Sequence, residues 1–452
     1  MSSDLLSIGR SGAKAARIAL DVTAQNIANA STDGYVRRSA SLAELASTGY
    51  HGTVRDVSLS GVRVSQIVRN ADAFRQAEVR RTGSDSARAD AEVQGLGNIE
   101  AALEQSNLYP SITDFESTLQ KLHEDPTDTS LRASVLEAAR AMTGTFQIAA
   151  QQLDAVGNGL QFTANQGVTE VNRLSAELAR TNLRLSRAAD ASSDQTTLLD
   201  QRDQLLQQIS GYGDIATTFA TDGSVEVRLG GSGGSLLVTG GTANPLSATT
   251  ASNGTMSFAV GTSTLALSGG SLAGQSLALT KLAQIHDDLD QLAKDIVTTV
   301  NTANTAGIDL DGNPGVALLS GNSAASIAIA STATSGRKIA TAPVPTASAT
   351  PVAGSRDTTN LDNLRSALLA NDPAGRMDGI LFDISATVAG RTTTRGALKT
   401  ISDSAKTALS AQSGVDLDTE AVNLVRYQQA FQASGRVMQV ATTLFDTLLN
   451  IR

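Results

Sequence analysis

The sequence predicts an elongated, multi-domain α+β protein, with paired N- and C-terminal helices of coiled-coil type, a long-helix bundle and a small inserted β-domain. Three observations carry this. All eight prolines fall between Pro110 and Pro373, so neither end contains one. Apolar residues recur every seven positions at both ends, a spacing that keeps one seam of a helix facing a partner. Between 211 and 276 the chain holds 14 of its 39 glycines but only four charged residues, Asp214, Asp222, Glu226 and Arg228. That is the composition of short strands and tight turns.

In chain order, Leu6, Ala13, Leu20 and Ile27 form a candidate assembly seam, beside a row of Ile8, Ala15 and Val22. Asn26, Asn29, Ser31, Thr32, Asp33 and Gly34 then end the helix in residues that favour caps and turns. Residues 40–68 alternate weakly, as in a short hairpin around Ser60-Gly61. A long helix is expected over 71–107. A shorter one over 111–123 carries Ile112, Phe115, Leu119 and Leu122 on one face. Pro126 marks the turn before a helical tract from about 129 to 209, with interruptions expected near Gly157–Gly159 and Asp190–Asp194.

In the insert, Val225, Val227 and Leu229 alternate, as do Met256, Phe258 and Val260, while "TDGS" and "SNGT" are hairpin turns. Helix is expected again over 277–304. The stretch 323–356, rich in Ala, Ser, Thr and Pro, reads either as strand plus loop or as partly disordered. Helices resume near 358–371 and from about 394, with a break at Ser413-Gly414. Finally Leu417, Leu424, Phe431, Met438 and Phe445 repeat by seven, beside Ala430, Val437, Leu444 and Ile451. Tyr427 and Leu448 complete the C-terminal candidate seam. An amphipathic helix on a globular core gives the same pattern. Isolated helical ends are marginal in water, however, so these are expected to need each other or neighbouring subunits. The expected domains are 1–35 with 415–452, a helical middle of 36–210, 277–305 and 357–414, and the β-insert over 211–276, with 306–356 as its candidate extension.

The net charge of −9 and the lack of a dense basic run argue against a nucleic-acid partner. Aromatics make up 3% and tryptophan is absent, which disfavours an aromatic-lined ligand pocket. No stretch approaches the length of a membrane span, and no basic n-region with an apolar h-region marks a cleaved signal. Zero cysteines exclude disulfides and thiolate chemistry. His51, His123 and His286 share no helix face. "DLDGNPG" spaces Asp309, Asp311 and Asn313 as in a calcium loop, but Pro314 and Ser320 replace residues such a loop requires, so a tight Asx-type turn is expected. The sequence yields no catalytic constellation, metal site or cofactor site.

"ALDVTAQNIANASTDGYVRR" resembles the N-terminal signature of the bacterial flagellar axial proteins, the rod, hook and junction components, at Asn26, Ile27, Ala28, Asn29, Thr32, Gly34 and Tyr35. The C-terminal stretch is similar to the matching end of that family at Leu424, Tyr427, Gln428, Phe431, Ala433 and Leu448. Three internal blocks resemble its hook–filament junction members. The first matches at Phe115, Leu119, Leu122, Pro126, Arg132 and Val135; the others are "LLDQRDQLLQQIS" and "GSLAG" followed by a helix and "GIDLDGNPG".

The resemblance implies a structural adaptor, not an enzyme, exported without signal cleavage through the flagellar type III pathway and located outside the cell in the flagellum. It implies a homo-oligomeric ring seated between hook protein and a second hook–filament junction protein, after a chaperone has held the C-terminal helix. Larger family members carry an additional outer domain, for which 452 residues leave no room. A hook or distal rod protein is the alternative within the family. A secreted ligand-binding or hydrolytic protein using the β-domain is the alternative outside it.

Overall fold

The computed structural model describes residues 2–32, 34–46, 59–190, 192–345 and 352–449. The N-terminal helix α1 (Ser2–Ala28) leads into a hairpin of β1 (Arg38–Ala46) and β2 (Leu59–Arg69). Four helices follow: α2 (Ala73–Gln105), α3 (Leu108–Glu124), α4 (Thr129–Leu185) and α5 (Ser193–Tyr212). The insert pairs β3 (Ile215–Phe219), β4 (Val225–Leu229), β5 (Ser235–Thr239) and β6 (Thr242–Ala243) in one antiparallel sheet. A second sheet joins β7 (Leu246–Thr250), β8 (Met256–Val260) and β9 (Ser263–Leu265). Helix α6 (Gly270–Thr305) returns to the bundle. Two short ladders follow, β10 (Gly307–Ile308) with β13 (Ala342–Pro343) and β11 (Leu319–Ser320) with β12 (Ala328–Ile329). Helices α7 (Thr359–Asn371), α8 (Pro373–Ser413) and α9 (Leu417–Leu449) complete the chain.

One continuous core joins the bundle to the insert. Leu96, Phe115, Phe146, Leu178, Leu206 and Leu289 are buried together with Val227, Leu237 and Phe258 from the two sheets. The alternation read in Val225, Val227 and Leu229 is therefore the inward face of β4. The short ladders of 307–343 instead lie against α4, α6 and α7.

Local expectations need correction at four places. Helix α4 runs unbroken through Gly157 and Gly159. A Cβ at Gly157 would stand 3.0 Å from Leu282 of α6, so this glycine answers a packing demand rather than breaking the helix. Helix α6 starts at Gly270, so "GSLAG" is its first turn. Helix α8 starts at Pro373, well before 394, because proline is tolerated where a helix has no N–H to pair. Ser60-Gly61 is not a hairpin turn: both lie inside β2, where the register shifts between Glu44 and Ala46. Gly61 takes a φ of +104°, and a Cβ there would fall 2.1 Å from Ser11 Oγ, so glycine lets β2 lie against α1. His51 and residues 346–351 lie outside the described residues, and so does the side chain of Leu448.

Asparagine carboxamides hold strands and loops to the helices. On α4, Asn172 accepts from Leu246 N at 2.7 Å and donates to Leu246 O at 2.9 Å. Asn182 does the same for Val225, at 3.0 and 2.8 Å. On α6, Asn301 accepts from Leu318 and Leu319 N, and Asn304 accepts from Ala340 N at 2.8 Å. Each amide presents a donor and an acceptor as a strand edge does.

Helices α2 and α6 cross so closely that a Cβ on Gly274 would meet Arg88 O at 2.2 Å. Gly274→Val is expected to cost about 1–3 kcal/mol or more through overpacking, read as a lowered urea midpoint. Gly97, with nothing within 4 Å of a Cβ, is the control. There Gly97→Ala should raise stability by roughly 0.5–1 kcal/mol, the helical penalty of glycine.

Candidate assembly surface and the polar junction behind it

The signature after α1 folds around one side chain. Asn26, 1% exposed, donates from Nδ2 to Arg38 O (2.8 Å) and Glu420 Oε2 (3.1 Å). Its Oδ1 accepts from Arg38 N (3.0 Å) and from the Tyr35 hydroxyl (2.9 Å). The neighbouring signature residues make the turn that permits this. Asn29 donates back to Gln25 O, Thr32 donates to Asn29 Oδ1, and Gly34 adopts a φ of +78°. Tyr35 swings back against Arg38, whose guanidinium lies 5.1 Å from the ring centre; burial pushes its hydroxyl pKa up. Ile27 makes no part of this knot and is exposed.

Charges surround the knot. Arg38 and Arg69 face each other across the β1–β2 ladder, a destabilising like-charge pair unless something neutralises it. Asp200 of α5 does so, at 2.6 Å from Arg38 and 2.7 Å from Arg69. Asp203, one turn on, takes Arg69 at 2.9 Å, Gln76 at 3.0 Å and Arg202 beside it. Burial pushes the Asp203 carboxyl up, but Arg202 and Arg69 outweigh it and hold the group below the usual carboxylate range. Glu420, buried in the first turn of α9, accepts from Asn26 and from Arg37 Nε at 2.7 Å. The sequence shows Arg37 and Arg38 after the signature and Asp200 and Asp203 in "LLDQRDQLLQQIS", but nothing in it joins these to each other or to Glu420. Nothing in the sequence sets Glu420 apart from Asp416 and Asp418 beside it.

From Glu420 outward α9 runs antiparallel to α1 along small residues. A Cβ on Gly9 would come within 2.7 Å of Met438, and one on Gly12 within 2.8 Å of Ser434 Oγ. Ala15, Ala16, Ala19, Val22 and Ala441 are buried along this contact. The N-terminal row read as a seam flanks this contact instead of forming it: Leu6 is 46% exposed, Ile27 is exposed, and Ala13 and Leu20 are half-buried. On α9, Leu424, Tyr427 and Met438 are half-buried, whereas Leu417, Phe431 (45%) and Phe445 (52%) are exposed. At 100° per residue, Val422, Val425 and Val440 fall roughly opposite Glu420 and Met438, and all three are exposed. Helix α9 therefore keeps a second apolar face turned away from α1, and Phe431 and Phe445 stay about half exposed near the contact line itself.

The middle block forms a second polar centre, away from the termini. Phe115, Leu119, Leu122 and Val135 are core residues of the α3–α4 hairpin, and Pro126 is buried in its turn. Arg132 is 1% exposed. It donates to Pro126 O (2.6 Å), Ile339 O (2.6 Å) and Thr341 Oγ1 (2.9 Å), which ties residues 336–341 to α4. Burial pushes its pKa down to about 10, with Asp309 opposing. Asp309 in turn accepts from Asp311 N, Asn313 N and Lys338 Nζ, and Asp311 pairs with Arg337. "DLDGNPG" is thus an Asx-type turn with its carboxylates engaged. His123 lies 3.1 Å from Asp362, and His286 lies 3.6 Å from Asp154. Among the described residues, no helix is long and apolar enough to cross a membrane.

A fold whose two ends make one slender unit, with a polar lock at its base and large apolar side chains left outside, defines a structural protein of an axial assembly. Family profiles agree in three places. Residues 96–319 match the flagellar hook-associated protein FlgK helical domain, 407–451 the flagellar basal body rod FlgEFG protein C-terminal region, and 6–35 the flagella basal body rod protein. Hook-associated protein 1 of Escherichia coli (strain K12) is 26% identical over 552 residues, covering all of both chains. The Bacillus subtilis (strain 168) protein of that name is 28% identical over 228 residues, 48% of this chain and 44% of its own. The flagellar hook junction protein FlgK from Burkholderia pseudomallei shares the fold, with a TM-score of 0.62 at 15% identity, covering 74% of this chain and 99% of its own. The chain belongs to the flagellar hook-associated protein 1 family. The helical-domain match over 96–319, between the rod-type profiles at the ends, separates it from the hook and distal-rod alternative.

Asn26→Ala removes four hydrogen bonds and leaves buried Glu420 with Arg37 but without its Oε2 partner. A cost of about 2–4 kcal/mol is expected, seen as faster amide exchange in α1 and α9 with α4 unchanged. The lock is also acid-sensitive. Because the native pKa of Asp203 is lowered, its contribution is complete above the unfolded value of about 3.9. It is lost as pH falls from there through the native value. Asp203→Asn should flatten the acid limb of stability, read from urea midpoints between about pH 5 and pH 3.

Proposed function

We propose that copies of this chain assemble through the exposed apolar faces of α1 and α9, and that this contact builds it into the hook–filament junction of the bacterial flagellum as a structural adaptor. The chain is a structural component of that junction and works alongside hook and other flagellar components. The observation that carries the assembly mode is the apolar exposure of α9. Val422, Val425 and Val440 stand opposite the α1 contact, and Phe431 and Phe445, near the contact line, remain 45% and 52% exposed. At ~25 cal/mol per Å2 of apolar area removed from water, a helix with such a face exposed is stabilised by a neighbour beyond its own partner.

In this reading 1–35 with 415–452 form the rod-like terminal domain, the helical middle carries the β-insert outward, and copies close into a homo-oligomeric ring. Hook protein lies on one side and a second hook–filament junction protein on the other. The middle accommodates the mismatch between curved hook and straighter filament. Before assembly the same face of α9 suits an export chaperone, whose occupancy keeps it from self-associating during type III export to the cell exterior without signal cleavage. Lack of disulfides suits threading in an unfolded state.

Val440→Asp places a charge on the far face of α9, where Val440 is 58% exposed in the single chain. Monomer stability should change by less than about 0.5 kcal/mol, while incorporation into the junction fails because the charge would be buried unpaired. Phe431→Asp should also block incorporation, with a larger loss of monomer stability because that side chain is more than half covered in the single chain. Normal numbers of filament-bearing hooks in cells expressing either variant would sink the assembly mode.

A further inference from the structure

Behind the polar junction lies a cavity of about 650 Å3, walled by residues 34–36, α2, α5 and the end of α8. Space of that size greatly exceeds the ~30 Å3 that one water occupies in the liquid. Arg80 of α2 lines it and is only 6% exposed. Its guanidinium has no hydrogen-bond acceptor or carboxylate in contact among the described residues. Asp203 acts on it only through space, since both Asp203 oxygens are already bonded to Arg69, Arg202 and Gln76. Arg202 adds repulsion, and burial lowers the Arg80 pKa.

The other buried arginines nearby are all paired. Arg38 has Asp200, Arg69 has both aspartates, and Arg202 has Asp203. Buried guanidinium groups are expected to be paired, so Arg80 stands out. A second cation, Lys406 of α8, lines the same cavity, and its exposed side chain has no ion pair among the described residues. Gln204, Gln207 and Gln208 of α5 add amide donors on its wall.

We propose that this cavity binds an oxyanion, a carboxylate or phosphate group, with Arg80 as the buried anchor and Lys406 as the second charge. The guanidinium fork matches two oxygens of such a group, and a charge-assisted bidentate pair is stronger than a neutral hydrogen bond. The group reaches the site either as a dissolved ion or as an acidic side chain of a neighbouring copy.

The test uses the full chain as a monomer, titrated with inorganic phosphate against sodium chloride at matched ionic strength, with melting temperature as readout. Phosphate should raise the melting temperature saturably beyond chloride. Lys406→Met, at an exposed position, should fold normally and weaken the half-saturation point about tenfold, the effect of losing ~1.4 kcal/mol. Arg80→Met should abolish the response. Should Arg80→Met not fold, the Lys406→Met shift decides. Sedimentation then separates the sources. Phosphate that weakens self-association assigns the oxyanion to a neighbour's carboxylate, and phosphate that leaves it unchanged assigns it to a dissolved ion. A melting temperature no more sensitive to phosphate than to chloride, or an equal response in Lys406→Met, overturns the proposal and leaves a water-filled cavity.

Discussion

The Asn26 carboxamide bonds both the N–H and the C=O of Arg38, and the direction in which the paired termini leave the body depends on that clamp. It forces the chain to double back after α1, which brings Tyr35 under the amide and sets Arg37 and Arg38 on opposite tasks. Arg37 reaches forward to Glu420 and holds α9; Arg38 reaches sideways to Asp200 and holds the middle. The turn after α1 and the start of α9 thereby meet at one side chain, and α5 joins them through Arg38. A carboxylate or an aliphatic group in place of the Asn26 carboxamide would leave a donor or an acceptor without a partner.

Beyond the lock, the division of side chains along α1 and α9 is a trade between folding and association. Glycine, alanine and serine, with Val22, line the intramolecular contact, so the two backbones approach closely while most of the larger apolar side chains stay at least partly outside. The single chain therefore gains little apolar burial from this pair, and the polar knot at its base fixes register instead. A conventional leucine seam would have stabilised the monomer more and left less for neighbours.

Much of this was legible in the sequence. Period-seven rows announced helices at both ends, the glycine-rich tract announced the insert, and Phe115, Leu119 and Leu122 were readable as core from spacing alone. Which row of the terminal helices touches which partner was not readable. A heptad pattern records that an apolar face exists, and the small residues that form the contact carry no hydrophobic signal. Asparagine misleads in a related way. Its ordinary association with turns explains Asn29, but Asn172, Asn182 and Asn304 act inside helices as surrogate backbone, which depends on a strand arriving from elsewhere. The unbroken passage of α4 through Gly157 and Gly159 is likewise a tertiary decision, since glycine is costly in an isolated helix and useful where another helix presses close.

Helix α4 spans 57 residues without a break, about 85 Å at 1.5 Å per residue. Near one end Asn172 and Asn182 grip the β-insert, and near the other Arg132 grips the 336–341 segment. A member that long, fastened near both ends and lacking a flexible joint, behaves as a lever. Because α4 is also packed along its length against α2, α3, α5 and α6, drag or bending force applied to the insert would be shared across the bundle core rather than dissipated in a loop.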